Sequence, residues 1–206
     1  MAAPAGMAAP AIIVKAASAE WDEYAGSWDS MAGPTSHWAC DSHEKVMQII
    51  GKRQMRRVLD FGAGTGVMGL ALRSSLHGQG LEEVVFHDVA PKMLQEISRK
   101  IEAGGITKAT VSTFTEDIAD ASASTLAGPF DLIVSGSVLT FVPDAHATLR
   151  ALRDRLTPGT GVCFPDAEQP TCAYSTRILR EVCEIGHGSL RAPVHAARRG
   201  PLFFSL

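Results

Sequence analysis

The 206-residue sequence carries no excess of basic charge, since 19 Lys and Arg oppose 22 Asp and Glu, for a net charge of −3 at pH 7. It contains no polybasic segment, and no apolar run approaches the ~18 residues that cross a bilayer. A chain of this kind offers no basic footprint to nucleic acid and no electrostatic anchor to a lipid surface. We therefore expect no nucleic-acid partner, no membrane partner and a cytoplasmic location.

Cysteine pairing is also absent from the pattern. The four cysteines form no C-x-x-C pair, and a chain of this length buries enough surface to fold without disulfides. We expect reduced cysteines in an intracellular protein.

Residues 1–17 are rich in Ala and Pro, and their only basic residue, Lys15, follows the apolar stretch instead of preceding it as in a secretory signal. This segment is predicted to be a disordered tail.

The rest of the chain alternates apolar strands with amphipathic helices. Two helices are predicted over 18–31 and 37–51. Strands are predicted over 57–61, 84–88, 109–114, 130–135 and 161–164, with intervening helices over 65–77, 91–103 and 143–156. This alternation is typical of βαβ units, which place helices on both faces of a parallel sheet. The fold class expected is a doubly wound, Rossmann-like α/β sheet, mostly parallel.

A glycine-rich turn separates the first strand from the next helix. It runs from Asp60 through Gly62 and Gly64, and Asp88 ends the second strand 24 residues after Gly64. Residues 64–69 also satisfy G-x-G-x-x-G, so a nicotinamide or flavin dinucleotide is the alternative ligand. Against it, Asp60 would repel a pyrophosphate but suits a ligand with an amino group and a sulfonium. Asp117, after the third strand, can accept from an adenine amino group, and no Tyr-x-x-x-Lys pair exists.

Five segments together resemble the ordered motifs of class I S-adenosylmethionine-dependent methyltransferases. They read VLDFGAGTG at 58–66, DVAPKML at 88–94, EDI at 116–118, FDLIVSGSVL at 130–139 and LTPGTG at 156–161. Residues 21–29 are similar to the first helix of that family, which folds over the cofactor. Each motif is weak alone, but five in order, over about residues 18–166, are specific.

The resemblance implies a site for S-adenosylmethionine. Gly62, Ala63 and Gly64 would line the methionine part, and Asp60 would help to hold its amino group. The ribose would be held by Asp88, with Val89 beside it, at the end of the second strand. The adenine would be held by Asp117 and Ile118 after the third strand, with Met93 packed against it. Ser135, at the end of the fourth strand, would lie close to the methyl-transfer point. No metal is expected, and no catalytic residue is assigned.

Several of these residues also have a purely structural interpretation. Gly66 and Gly69 would allow close packing of helix on strand, and Met93 would be plain core. The helical spacing of Trp21, Tyr24 and Trp28 gives one shared face, which either closes over the cofactor or only packs on the domain. The series His37, Cys40 and His43 mimics a metal site with too few ligands.

The function expected is methyl transfer to an unidentified O, N, S or C acceptor, with a small molecule as substrate. A catalytically weak or silent binding module is the alternative, and a nicotinamide-dependent oxidoreductase is a weaker one.

The methyltransferase domain is predicted over 18–186, with a last helix over 171–186 and an irregular tail over 187–206. One strand over 202–206 leaves the family's closing antiparallel hairpin incomplete. This shortened C-terminal end predicts an exposed or poorly covered edge on strand five and self-association through it.

Overall fold

The computed structural model describes residues 18–32, 37–104, 111–114, 126–136, 138–166 and 204–205. Its strands form one six-stranded sheet in the order β3-β2-β1-β4-β5-β6, in which the first five are parallel and β6 is antiparallel. They are β1 Arg57–Phe61, β2 Glu83–His87, β3 Val111–Phe114, β4 Leu132–Gly136, β5 Val162–Asp166 and β6 Phe204–Ser205. The predicted doubly wound sheet is confirmed, and its strand order reverses between β1 and β4, where such sheets bind ligands.

The helices connect and cover these strands. They are α1 over 18–24, α2 Trp28–Ala32, α3 His37–Ile50, α4 Val67–Leu76, α5 Pro91–Ala103 and α6 Ala145–Arg153, with a 3-10 turn at Val138–Thr140. Within the described ranges, no helix combines the length and the apolar character needed to cross a membrane. The α5 bounds match the prediction, because Pro91 opens the helix and glycine follows its end.

The single helix predicted over 18–31 is wrong, because the chain turns at residues 25–27 and forms two helices there. Both the amide and the hydroxyl of Ser27 donate to the carbonyl of Tyr24, at 3.0 and 3.2 Å. The Ser30 hydroxyl then donates to the Ser27 carbonyl at 2.6 Å. Serine side chains that bond to nearby carbonyls compete with the helical pattern, and Gly26 beside them lowers its stability.

The core lies on both faces of the sheet. Val58 and Leu59 are adjacent on β1 and fully buried, yet they belong to different clusters on opposite faces. One cluster packs α3, α4 and α5 against the sheet, and the other packs α6 against it. A central strand buried on both sides explains the adjacent apolar residues Val58 and Leu59 in β1 and the apolar run 132–134 in β4.

The C-terminal strand covers part of one sheet edge. In β6, Ser205 pairs with Val162 and Phe204 pairs with Cys163. The predicted strand over 202–206 is confirmed at these two residues, whose pairing covers part of the β5 edge. The expectation of an exposed or poorly covered edge stays a prediction. The helix predicted over 171–186 and most of the predicted tail lie outside the described residues.

Candidate functional site

The glycine loop, residues 62–66, leaves β1 at the point where the strand order reverses. Gly62, Gly64 and Gly66 have φ angles of 69°, 54° and 82°, a left-handed conformation that L side chains rarely adopt. A Cβ on Gly62 would collide with Val138, and one on Gly64 would lie 3.5 Å from Trp28 Nε1. The backbone conformation therefore favours glycine at these three positions, and at Gly62 the side chain of Val138 leaves no room for a Cβ either.

The loop is fixed to the end of β2. The Ala63 amide donates to the His87 carbonyl at 2.8 Å, and the Gly64 amide donates to Asp88 Oδ2 at 2.8 Å. Asp88 Oδ1 accepts from the Ala90 amide at 2.9 Å. Each carboxylate oxygen retains a lone pair, so Asp88 can still accept from a ligand. Asp88, predicted to bind the ribose, thus also holds the loop in place.

Asp88 is 8% exposed, and burial raises its pKa although the two amide hydrogen bonds oppose that shift. Val89, predicted beside it, is half-buried, as are Gly62, Ala63 and Gly64.

Asp60 lies beneath the loop and faces the start of α4. Its Oδ2 accepts from the Gly69 amide at 2.8 Å, and the residue is 2% exposed. Burial raises the pKa of Asp60 to about 7, with the Gly69 hydrogen bond lowering it and the charge of Asp88 raising it. The predicted contact of Asp60 with an amino group stays a prediction; the contact present is a cap on α4.

The interpretation that a glycine allows close packing of helix on strand is confirmed for Gly69. A Cβ there would collide with Phe86 and lie 2.7 Å from Asp60 Oδ2, so glycine lets α4 approach β1 and β2 closely enough for Asp60 to reach the helix. Gly66 packs against a neighbouring helix instead, because a Cβ there would lie 2.8 Å from Ile97 Cγ1 on α5.

Aromatic side chains lie above the loop. Trp21 contacts Trp28 and Phe141 edge-to-face, with ring centroids 5.3 and 5.1 Å apart, and Tyr24 lies 6.0 Å away. Trp21, Tyr24 and Trp28 do not share one helix as predicted, because α1 and α2 are separate, but their rings still cluster. Sequence reasoning missed Phe141, which follows the 3-10 turn and is 57% exposed.

Two carboxylates attach α1 and α2 to the domain. Asp22 Oδ1 accepts from the Lys92 amide at 2.7 Å. Asp29 accepts from the Thr65 hydroxyl at 2.5 Å and from Lys100 Nζ at 2.6 Å. None of these contacts follows from spacing, because each joins segments far apart in the chain.

The remaining predicted residues lie around this loop or outside the described ranges. Met93 is 2% exposed and packs with Ala25 and Ala90 below Trp21 and Trp28. Ser135 lies near the end of β4, is 1% exposed, and its Oγ forms no hydrogen bond with the part of the chain that the structure describes. The other two predicted adenine contacts, Asp117 and Ile118, lie outside that part.

Two further polar side chains, Asp144 and His43, have contacts within the domain. Asp144 Oδ1 accepts from the Ala147 amide at 2.8 Å and so caps α6. His43 Nε2 lies 3.0 Å from Ser75 Oγ. In the described ranges, no three His, Cys, Asp or Glu side chains come together as a metal site would require.

Comparisons with known proteins agree with this geometry. The malonyl-acyl-carrier-protein O-methyltransferase of Brevibacillus brevis is 28% identical over 153 residues, which are 73% of this chain and 52% of that protein. The tRNA 5-carboxymethoxyuridine methyltransferase of Escherichia coli K12 is 29% identical over 116 residues, 56% of this chain and 41% of that protein. The chain thus spans about half the length of the curated relatives it matches.

The same fold occurs in a crystal structure from Methanococcus maripaludis, described as an S-adenosyl-L-methionine-dependent methyltransferase. It superposes with a TM-score of 0.61 at 16% identity, covering 100% of this chain and 94% of that one. The methyltransferase domain family matches residues 59–162, from β1 to the start of β5 and about half of the chain. This match includes the glycine loop and the strand ends around it, and the chain therefore belongs to the methyltransferase domain family.

Proposed function

We propose that this chain transfers the methyl group of S-adenosylmethionine to an O, N, S or C atom of a small molecule. The observation that carries the proposal is the glycine loop, which is fixed to Asp88 and covered by Trp28 at the point where the strand order reverses. Crevices at this point bind ligands across parallel sheets.

The residues present fit this cofactor. Gly64 brings backbone within reach of a ligand, and Asp88 has lone pairs left for the two ribose hydroxyls. Met93 offers a buried apolar contact for the adenine, and the Ser135 hydroxyl is buried at the end of β4 without a hydrogen bond to any described residue. A buried polar group of that kind is satisfied when a ligand supplies its partner.

The charge around the loop favours this cofactor over a dinucleotide. A pyrophosphate binds to the amides at a helix N-terminus, but at α4 the Gly69 amide already donates to the carboxylate of Asp60. Asp88 brings a second carboxyl group close enough to raise the pKa of Asp60. A ligand with an ammonium and a sulfonium would favour the ionised forms of these two acids, whereas a diphosphate would disfavour them.

The chain's own contribution to the reaction is position and exclusion of water. S-adenosylmethionine supplies a methyl group already activated by the positive sulfur. Trp21, Trp28 and Phe141 form an aromatic roof beside the end of β4, and an acceptor held under it is aligned and shielded. Such alignment lowers a barrier by several kcal/mol. No side chain is assigned as a base, because the acidity of the acceptor decides whether one is needed.

The acceptor proposed is a small molecule, because the segment over the site is acidic. Residues 18–32 contain four acidic residues and no basic one, so a phosphate backbone would be repelled at the mouth of the site. The matched relatives include enzymes named for acceptors as different as a carrier-bound malonyl group and a tRNA. The acceptor class therefore rests on the charge of this segment.

A transfer assay with methyl-labelled S-adenosylmethionine tests the proposal. Small-molecule extracts and bulk tRNA serve as the two acceptor pools, and Asp88→Ala serves as the cofactor-site control. We expect label in the small-molecule pool from the wild-type chain and at least tenfold less from the variant. Label in tRNA alone would overturn the acceptor class. Cofactor binding without label in either pool would favour the silent binding module.

A further inference from the structure

Asp29, Thr65 and Lys100 form a closed network, the Asp29 clasp, that joins three elements. One carboxylate oxygen of Asp29 accepts from the Thr65 hydroxyl at 2.5 Å, and the other accepts from Lys100 Nζ at 2.6 Å. Lys100 Nζ also donates to the Thr65 carbonyl at 2.8 Å. The clasp therefore fixes α2 to the glycine loop and the loop to α5.

The clasp is more than a solvated ion pair. The side chains of Lys100 and Asp29 are 21% and 38% exposed, and both are held by additional hydrogen bonds. Burial pushes the pKa of Asp29 up, but the hydrogen bonds from Lys100 and Thr65 together with the charge of Lys100 outweigh it, and the net shift is downward. Asp29 is thus a carboxylate throughout the neutral range, and the clasp stays closed there. Charge-assisted bonds of this geometry are stronger than neutral ones.

The clasp determines where Trp28 lies. Trp28 precedes Asp29 in α2, and its Nε1 lies 3.5 Å from where a Cβ on Gly64 would stand. Trp28 in turn contacts Trp21, which contacts Phe141. Release of α2 from the loop would therefore let the whole aromatic roof move away from Gly64.

We propose that Asp29 and Lys100 are positioning residues that hold Trp28 as a roof over the methionine part of the cofactor. The inference rests on the proposed function, because it assumes that S-adenosylmethionine occupies this crevice. Neither residue touches the cofactor itself; both act through the loop and through Trp28. Trp28 also packs near Ala90 and Met93, on the side proposed for the adenosine part, but the clasp bonds directly to the loop at Thr65, beside Gly64. We therefore expect the larger effect at the methionine end of the ligand.

Two ligands separate this role from a general structural one. S-adenosylhomocysteine contains the amino-acid part, whereas 5′-methylthioadenosine keeps the adenosine and the sulfur without it. For Asp29→Asn and for Lys100→Met, we expect calorimetry to show about tenfold weaker binding of S-adenosylhomocysteine and less than about twofold change for 5′-methylthioadenosine. Lys100→Arg keeps the charge and should restore most of the affinity.

The matched control is Glu82→Gln, which breaks the exposed Arg56–Glu82 ion pair just before β1 and β2 and leaves the clasp intact. It should bind both ligands as the wild-type chain does. If both ligands lost affinity equally in Asp29→Asn and Lys100→Met, or if neither lost affinity, the proposed positioning role of Asp29 and Lys100 would be wrong. If the wild-type chain itself fails to bind S-adenosylhomocysteine, the proposed function is wrong and the role of the clasp falls with it.

Discussion

Among the described residues, three helices follow parallel strands, and they begin in two different ways. The first turn of α6 is capped by its own N-cap residue, since Asp144 accepts from the Ala147 amide. The N-cap residues of α4 and α5 are Gly66 and Ala90, which offer no side-chain hydrogen bond. Their first-turn amides are bonded instead by carboxylates from other elements.

These remote caps surround the proposed cofactor site. Asp60 on β1 accepts from the Gly69 amide of α4, and Asp22 on α1 accepts from the Lys92 amide of α5. A Cβ on Gly66 would collide with Ile97, and Ala90 is fully buried, so neither N-cap position has room for a capping side chain. The carboxylate comes from β1 in one case and from α1 in the other. We therefore expect changes at the remote caps to alter both stability and ligand binding, whereas changes at the local cap alter stability alone.

The largest effect is expected at Asp88, which connects the two remotely capped regions. Asp88→Ala removes the acceptor for the Gly64 amide and the proposed acceptor for the ribose. Hydrogen bonds to a charged group contribute roughly 1.5–3 kcal/mol, so S-adenosylhomocysteine should bind at least tenfold more weakly. Calorimetry on the purified variant measures this. Unchanged affinity in a folded Asp88→Ala protein would show that the ribose lies elsewhere.

Asp60 should produce a pH dependence of stability. Its pKa is about 7 in the folded state against 3.8 as the ordinary value, so between these values the folded chain keeps a proton that the unfolded chain releases. The Asp60 contribution to stability is therefore complete below pH 4, falls as the pH rises to about 7, and is level above it. Asp88, whose pKa is also raised, adds a change of the same sign.

Asp60→Asn separates the contribution of Asp60 to this pH dependence from that of Asp88. The asparagine amide oxygen can still accept from the Gly69 amide, but the asparagine side chain does not titrate. At ~1.4 kcal/mol per pKa unit, the variant should gain up to a few kcal/mol over the wild-type chain at pH 8 and nothing comparable at pH 4. Urea unfolding at several pH values tests this. Parallel stability curves for the two proteins would contradict the assignment.

A smaller effect is expected at Asp22, the residue of α1 that caps α5. Asp22→Ala leaves the Lys92 amide without its carboxylate and releases one end of α1, at a cost of about 1 kcal/mol. Because α1 carries Trp21, binding of S-adenosylhomocysteine should weaken by about threefold. Thermal unfolding and calorimetry together test this, and a stability loss with no change in affinity would show that α1 is scaffold only.

The smallest effect is expected at the local cap. Asp144→Ala should destabilise the protein by roughly 0.5–1 kcal/mol, as loss of an N-cap does, while the affinity for S-adenosylhomocysteine stays within the error of the wild-type value. This variant is the matched control for Asp22→Ala. A comparable loss of affinity in both would remove the distinction between local and remote caps.

The strands and the doubly wound class could be predicted from the sequence because a central parallel strand is apolar on both faces. The segments at β1 and β4 show this directly, and Pro91 marks the start of α5. The glycine loop could also be predicted from the sequence, since the positive φ angles at Gly62 and Gly64 favour glycine. The approximate place of Asp88 followed from the end of a predicted strand.

The contacts that hold the roof could not be predicted in this way. The break at 25–27 depends on Ser27 bonding to a nearby carbonyl, which competes with a pattern that reads as one continuous helix. The contact of Asp29 with Lys100 depends on how α2 packs against α5, and no sequence period relates the two. Phe141 joins the roof because a 3-10 turn, not a regular element, follows β4.

Calorimetric titration of the purified wild-type chain with S-adenosylhomocysteine and, separately, with NAD tests the central claim most directly. Both ligands contain adenosine, but only S-adenosylhomocysteine has an amino-acid group with its ammonium, and only NAD has a pyrophosphate. With Asp60 capping α4 and Asp88 fixed to Gly64, we expect micromolar binding of S-adenosylhomocysteine and no binding of NAD. Micromolar binding of NAD with no response to S-adenosylhomocysteine would contradict the assignment of this crevice to S-adenosylmethionine.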